Sequence, residues 1–173
     1  MPKISPTYRI HFRRRREGKT NYRKRLKLLL SEKPRLVYRK TLKYIIGQII
    51  EFDKKGDKTL VGITSKVLKK YGWKFACDNT PASYLTGFLL GKLALSKGIK
   101  EAVLDIGLYT STKGGRMYAF AKGAIDAGLN VNCSEEMFPN EDRIKGLHIS
   151  EEVAKNFEEV KNNIEVMLSG GGN

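Results

Sequence analysis

The chain has 173 residues, of which 33 are Lys or Arg and 18 are Asp or Glu, so its formal net charge is +15. A hydrophobic fraction of 40% is enough for a core, which argues against a wholly disordered chain, and no apolar run approaches the roughly 18 residues of a membrane span. Cys77 and Cys133 stand far apart without a CxxC pair, which fits a reducing cytosol rather than a zinc site or a disulfide framework, and residues 1–6 contain no apolar secretory signal.

The positive charge is concentrated in the first quarter of the chain. Residues 1–43 contain 16 Lys and Arg against 2 Asp and Glu, a net charge of +14, whereas residues 44–173 have a net charge of +1. This segregation indicates an arm that binds a polyanion, because an even surplus would indicate solubility alone. A solvated or nuclear-targeting tail is the alternative interpretation. Aromatic residues interleaved with the cations favour the polyanion: Tyr8, Phe12, Tyr22 and Tyr38.

The arm divides into two pieces. We do not expect residues 1–19 to fold alone, because the run Arg13–Arg16 repels itself until a negative partner arrives. Thr20 or Asn21 can then cap a short helix that extends to residue 30. An apolar stripe at helical spacing predicts the face that docks on the domain, while basic residues on other faces meet phosphate. The stripe consists of Tyr22, Leu26, Leu29 and Leu30.

The next segments predict a sheet. A period near two predicts strands over 35–40, 44–52 and 58–64, and the short connections between them favour antiparallel pairing. A short helix is expected over 65–71, stopping at Gly72.

A long helix is predicted over 81–97. Thr80 suits its N-cap and Gly98 suits the residue after its end. Gly87 and Gly91 lie one turn apart inside it, and each costs roughly 1 kcal/mol against alanine. We expect close packing of this helix on a sheet to offset that cost.

The remaining chain completes an α/β pattern. Strands are predicted over 102–106 and 129–132, with an amphipathic helix over 116–127 between them. A last helix follows Ser150, and its apolar face is Val153, Phe157, Val160, Ile164 and Met167 or Leu168. The predicted fold class is α/β, a mixed sheet packed with helices, plus an extended basic N-terminal arm. The predicted divisions are 1–33 (basic arm with a short helix), 34–149 (α/β globular domain) and 150–173 (acidic helix and glycine-rich tail).

Catalytic and membrane functions are the competing hypotheses. Asp105 and Asp126 are the carboxylates that a metal-dependent nuclease would use, but such an enzyme needs several carboxylates around Mg²⁺. Helix capping or a surface position is the preferred interpretation of both. The basic helix over 22–30 could instead bind an anionic membrane surface, although the lack of bulky apolar residues over 13–19 argues against it.

Four other features of the sequence give weaker signals. The loop over 110–115 lacks the order of a phosphate-binding loop, so Lys113 with Arg116 is expected at most to touch a phosphate backbone. His11 is expected to face the polyanion and His148 to pack before the last helix. Trp73 is expected to pack in preference to stacking on a base.

Several motifs together resemble one known family. The sequence is similar to the archaeal and eukaryal branch of large-subunit ribosomal protein family eighteen, which binds 5S ribosomal RNA. The similar segments run collinearly from Tyr8 to Ile149. They are 13–17 (RRRRE), 20–26 (TNYRKRL), 33–37 (KPRLV), 71–73 (YGW), 82–87 (ASYLTG), 101–107 (EAVLDIG), 123–129 (GAIDAGL) and 143–149 (RIKGLHI).

The resemblance implies a function and a set of contacts. It implies binding to 5S rRNA, attachment of that RNA to the large-subunit rRNA in the central protuberance, and neighbouring large-subunit ribosomal proteins as further partners. It implies no enzyme activity, cofactor, metal, small-molecule substrate or membrane. The RNA contacts that it implies are Arg9, Arg13, Arg14, Arg15, Arg16, Lys19, Tyr22, Arg23, Arg25, Arg35, Arg39 and Lys40, with Lys113 and Arg116 as weaker candidates.

Overall fold

A mixed sheet forms the centre of the protein. The structure is a computed structural model that describes residues 7–169, so residues 1–6 and the predicted glycine-rich tail at 170–173 lie outside it. Within 7–169 the sheet has five strands in the order β3-β2-β1-β4-β5. The strands are β1 (Arg35–Lys40), β2 (Ile45–Glu51), β3 (Lys58–Thr64), β4 (Glu101–Asp105) and β5 (Asn130–Val131).

The pairing confirms the predicted fold class. The first three strands are antiparallel, as expected from their short connections, whereas β4 runs parallel to β1 and β5 runs parallel to β4. The register places Val37 of β1 between Gln48 of β2 and Asp105 of β4. The middle strand is therefore the one that immediately follows the basic arm.

The predicted helices are present with small shifts, but the turn of helix at Arg13–Arg16 was not predicted, because residues 1–19 were not expected to fold alone. The helices are α1 (Arg13–Arg16), α2 (Tyr22–Leu29), α3 (Thr80–Ser96), α4 (Arg116–Asp126), α5 (Glu141–Lys145) and α6 (Glu151–Ser169), with 3-10 helices at Ser65–Tyr71 and Glu135–Met137. Thr80 was expected as the N-cap of α3, but Asn79 has that role because its side chain accepts a hydrogen bond from the Ala82 N–H at 2.9 Å. Helix α5 and the second 3-10 helix are too short to leave a periodic pattern in the sequence.

Two helices cross at a distance that only glycine allows. A Cβ atom on Gly87 would lie 2.0 Å from the carbonyl oxygen of Phe120, and one on Gly123 would lie 2.1 Å from that of Tyr84. A Cβ on Gly91 would lie 2.9 Å from the carbonyl oxygen of Ala124. The close packing that was expected to offset these glycines is present, but at the glycines the partner is the backbone of α4 and not the sheet.

Helix α3 also packs against the last helix, where the Tyr84 ring lies 5.4 Å from that of Phe157. The predicted apolar face of α6 is buried, with Val153, Phe157, Val160 and Ile164 in one cluster with residues of α3 and the first 3-10 helix. At its end Leu168 packs on this cluster, whereas Met167 is exposed. The predicted division at 149/150 stays a prediction, but α6 shares its core with the preceding segments.

The two faces of the sheet have different chemistry. Side chains alternate along β1, so Leu36 and Tyr38 enter the core, where the Tyr38 ring lies 5.5 Å from that of Phe120. Arg35 and Arg39 point to the opposite face. The basic arm lies over that face, which therefore becomes the candidate site.

Candidate nucleic-acid interface

The run of four arginines forms a single turn of helix. All four side chains of Arg13–Arg16 are exposed. The turn is tied to the next segment, because Arg14 Nε donates a hydrogen bond to Thr20 Oγ1 at 2.9 Å and the Phe12 ring lies 5.3 Å from that of Tyr22. The four arginine side chains therefore face solvent, and the turn that carries them is connected to α2 through the contact of Phe12 with Tyr22.

Helix α2 begins as predicted but presents a different face to the domain. Asn21 caps it by accepting a hydrogen bond from the Lys24 N–H at 3.1 Å. The predicted apolar stripe is wrong at two positions, because Leu26 is 61% exposed and Leu30 is 74% exposed. The helix instead turns Arg25 toward the domain. In this orientation Arg25 forms an ion pair with Asp57, a contact that the hydrophobic pattern does not encode.

That ion pair belongs to an alternating chain of charges across the sheet. Asp57 accepts from Arg25 through Oδ1 at 2.7 Å and from Arg35 through Oδ2 at 2.6 Å. On its other side Arg35 donates to Asp105 Oδ2 at 2.9 Å, and Asp105 Oδ1 lies 3.3 Å from Arg39. The Arg25 guanidinium holds the pKa of Asp57 below its usual range, and the carboxylate raises the pKa of Arg25. The chain connects the arm to two strands.

The burial of this chain changes two predictions. Arg35 is only 4% exposed and both of its Nη atoms are engaged by carboxylates, so we remove it from the expected RNA contacts. Asp105 is 6% exposed and also accepts a hydrogen bond from the Gly107 N–H at 2.8 Å. It is therefore neither a helix cap nor a surface residue, because it balances buried arginine charge.

Replacing Asp105 with asparagine is expected to lower the free energy of unfolding by about 2–3 kcal/mol, since the buried guanidinium of Arg35 then has only one carboxylate. Urea denaturation measures this change. Asp53→Asn is the control, because the Asp53 carboxylate forms its ion pair with the exposed Lys58 at 2.9 Å and accepts a hydrogen bond from the Lys55 N–H at 3.2 Å, which an asparagine oxygen can also accept. We expect little change there. Equal midpoints for the two variants would contradict the assignment of Asp105.

A groove of about 800 Å³ lies between α2 and this face of the sheet. Most of its polar lining is basic, and it includes residues of the arm, of β1 and of the turn between β2 and β3. The basic residues are Arg14, Lys19, Lys24, Arg25, Lys27, Arg35, Arg39, Lys54 and Lys55, and exposed Phe52 and Leu108 add apolar surface. Lys54 and Lys55 are not among the contacts predicted from the sequence, because they lie in the short connection between β2 and β3, for which no function was predicted.

The match to known proteins covers this same region. Residues 6–101 match the family model described as "Ribosomal large subunit proteins 60S L5, and 50S L18". The chain belongs to this family. The resemblance in the sequence is thereby confirmed, and it makes the protein a structural component of the large ribosomal subunit, located on cytoplasmic ribosomes with rRNA and other ribosomal proteins as its partners. Between residues 7 and 169, no helix is long and apolar enough to cross a membrane.

The other side chains that were predicted to contact RNA in this ribosomal protein differ in how exposed they are. Arg39 keeps 39% of its side chain exposed, and exposed Lys40 places Nζ 5.7 Å from the centre of the Tyr109 ring. Lys113 is exposed, and Arg116 is partly engaged because its Nη1 donates to the Asp78 carbonyl at 2.6 Å. Tyr38 belongs to the core, so it leaves the set of aromatic candidates.

The residues that suggested catalysis are engaged separately in this ribosomal protein. Asp126 accepts a hydrogen bond from the Tyr84 hydroxyl at 2.8 Å and pairs with Lys122 at 3.0 Å. Burial, with that hydrogen bond second, raises the pKa of Tyr84 above its usual range. Asp105 has the arginine partners described above. Among the described residues no group of three or more His, Cys, Asp or Glu is arranged to hold a metal ion.

Two single-residue interpretations have opposite outcomes. Trp73 is 2% exposed and donates through Nε1 to the Ala76 carbonyl at 3.0 Å, which confirms that it packs. His148 was expected to pack but is exposed, because the chain turns outward after Gly146, whose φ is 87°. His11 is exposed within the arm.

Proposed function

We propose that this protein binds 5S rRNA and helps to attach it to the large-subunit rRNA in the central protuberance, without acting as an enzyme. The observation that carries the proposal is a groove lined by five cations of the arm together with Arg39, Lys54 and Lys55. The five are Arg14, Lys19, Lys24, Arg25 and Lys27. The family match supports a role in the large subunit, and the choice of 5S rRNA rests on the motif resemblance described above.

The proposed contacts are the available cations and one aromatic residue. Relative to the sequence-based set, Arg35 is omitted because it is buried, and Lys24, Lys27, Lys54 and Lys55 are added because they line the groove. Arg25 remains in the set, although Asp57 engages one of its nitrogens. The contacts are Arg9, Arg13, Arg14, Arg15, Arg16, Lys19, Tyr22, Arg23, Lys24, Arg25, Lys27, Arg39, Lys40, Lys54 and Lys55, with Lys113 and Arg116 as more distant candidates.

The mode of recognition follows from the chemistry of these groups. The deep groove of A-form RNA hides base edges, so contacts to phosphate, ribose and unpaired bases carry the recognition. Guanidinium groups suit both tasks, because they bind phosphate in a bidentate way and stack on bases. Tyr8 is 50% exposed and Phe12 is 74% exposed, which leaves two rings for stacking.

Filter binding of the full-length protein to 5S rRNA tests the proposal. If about half of the arm's cations engage phosphate, the plot of log K against log salt is expected to have a slope of about −6 or steeper. A structured RNA of the same length is the control for specificity and is expected to bind more weakly at every salt concentration. Equal affinity for the two RNAs would contradict the choice of 5S rRNA.

A further inference from the structure

Three carboxylates line the basic groove, where simple electrostatics disfavours them: those of Asp53, Asp57 and Asp105. Of these, Asp57 is the one that is ion-paired with the arm helix. Asp57 is in the turn between β2 and β3 and lines the groove together with Lys54 and Lys55. A carboxylate there repels an approaching phosphate, so its presence needs another explanation.

The geometry of Asp57 supplies that explanation. Each of its oxygens binds a different guanidinium, Oδ1 that of Arg25 on α2 and Oδ2 that of Arg35 on β1. Arg35 cannot move freely, because it is buried and its other nitrogen is held by Asp105. Asp57 therefore joins the arm helix to an immobile point of the sheet.

Few other described contacts fix the orientation of α2. The helix spans 8 residues, which is shorter than the roughly 12–15 that an isolated helix needs, and none of its residues is fully buried. Leu28 and Leu29 are half-buried, and Leu26 is exposed. Half-buried leucines allow a helix to rotate, whereas a carboxylate bridged to two guanidinium groups is directional.

The orientation of α2 determines where the arm's cations lie. Arg23, Lys24 and Lys27 are exposed on α2, and the arginine run is connected to the segment before it by the hydrogen bond from Arg14 to Thr20. Fixing these side chains before binding reduces the entropy that must be lost when RNA binds.

We propose that Asp57 is a positioning residue for RNA binding, an acid that strengthens binding to a polyanion by holding the arm helix against the sheet. This inference rests on the proposed RNA-binding function. Two effects of opposite sign meet at this residue. Removing its charge alone would tighten binding by at most about 4- to 6-fold, the worth of one phosphate contact near physiological salt. Releasing the helix weakens binding, and we expect that effect to dominate.

The test compares Asp57→Asn with Asp53→Asn, which removes the same charge from the same turn without touching α2. Full-length protein is titrated with 5S rRNA over a range of salt concentrations. Asp57→Asn is expected to bind about tenfold more weakly with a salt slope no shallower than that of the wild type, and Asp53→Asn as tightly as the wild type or more tightly. Affinity of Asp57→Asn equal to or above that of Asp53→Asn would overturn the proposal.

A double variant distinguishes loss of the position of α2 from a general loss of structure. In Arg25→Gln the link is already broken, so adding Asp57→Asn is expected to tighten binding through charge alone. A further tenfold loss in that background would show that Asp57 acts through overall folding and would also overturn the proposal. Thermal melting of each variant reports on folding directly.

Limited trypsin digestion of the free protein makes the inference independent of the choice of RNA. Release of α2 is expected to speed cleavage at Arg23, Lys24 and Lys27 several-fold in Asp57→Asn but not in Asp53→Asn. Wild-type protein that fails to bind 5S rRNA would contradict the proposed function, whereas equal cleavage rates in the two variants would contradict the positioning role.

Discussion

Gly87→Ala is expected to lower the free energy of unfolding by more than about 4 kcal/mol, which is beyond the usual range of about 1–3 kcal/mol for an overpacked core. The added methyl carbon would lie 2.0 Å from the carbonyl oxygen of Phe120, and backbone cannot rotate aside as a side chain can. The helices α3 and α4 would have to separate by more than about an ångström, which would loosen the rest of a close-packed core. Urea unfolding followed by circular dichroism measures the loss.

Gly62→Ala is the matched control for this prediction. Gly62 lies in β3, and a Cβ there would have its nearest neighbour at 3.5 Å, an ordinary contact. We expect a change within about 1 kcal/mol, because alanine also restricts the unfolded chain. If Gly87→Ala does not fold, Gly91→Ala provides a milder test, since its methyl would lie 2.7 Å from the Ala127 side chain. Unchanged stability of both α3 variants would contradict the close crossing.

The second large effect concerns RNA binding. Replacing Arg13, Arg14, Arg15 and Arg16 together with glutamine is expected to weaken binding to 5S rRNA by roughly 200- to 900-fold near physiological salt. Each phosphate contact contributes about 4- to 6-fold through counterion release at about 0.15 M salt, and the four exposed side chains are counted as one contact each. The salt slope should become shallower by about 3 to 4. Filter binding over a range of salt concentrations gives both quantities.

The control removes the same charge from another surface. Lys66, Lys69, Lys70 and Lys74 are exposed in and just after the 3-10 helix that packs against the core near α6. Their joint replacement with glutamine lowers the net charge by the same amount, so it reports the general effect of charge on association. Similar losses for the two quadruple variants would show that the arm has no special place in binding.

The elements with strong local signals were predictable from the sequence. The bounds of β1, β3 and the first 3-10 helix agree with the predicted spans, because alternation and Gly72, with its φ of 98°, mark them locally. The mixed sheet followed from the order of strands and helices, and the segregation of charge identified the arm.

What the sequence did not reveal are relations between distant residues. Arg25 of α2 is paired with Asp57, which is 32 positions away, and the buried Arg35 is paired with Asp105, which is 70 positions away. The glycines of α3 indicated close packing, but their partner is a second helix, α4. Gly123 of α4 is equally necessary, because a Cβ there would lie 2.1 Å from the Tyr84 carbonyl oxygen of α3. Hydrophobic periodicity carries no information on such pairings, since it reports only which face of an element is apolar.

The parallel pairing of β4 with β1 has a consequence for the order of events during synthesis. The arm leaves the translating ribosome first, but Asp105, which anchors Arg35, follows only after the whole of α3. Until β4 joins the sheet, the guanidinium of Arg35 lacks the buried carboxylate of Asp105, and the sheet face under the arm is incomplete. We therefore expect a nascent chain that ends before residue 105 to expose a strongly basic segment without the ion pairs that Asp105 forms with β1. The arm is then expected to gain its orientation only late in folding.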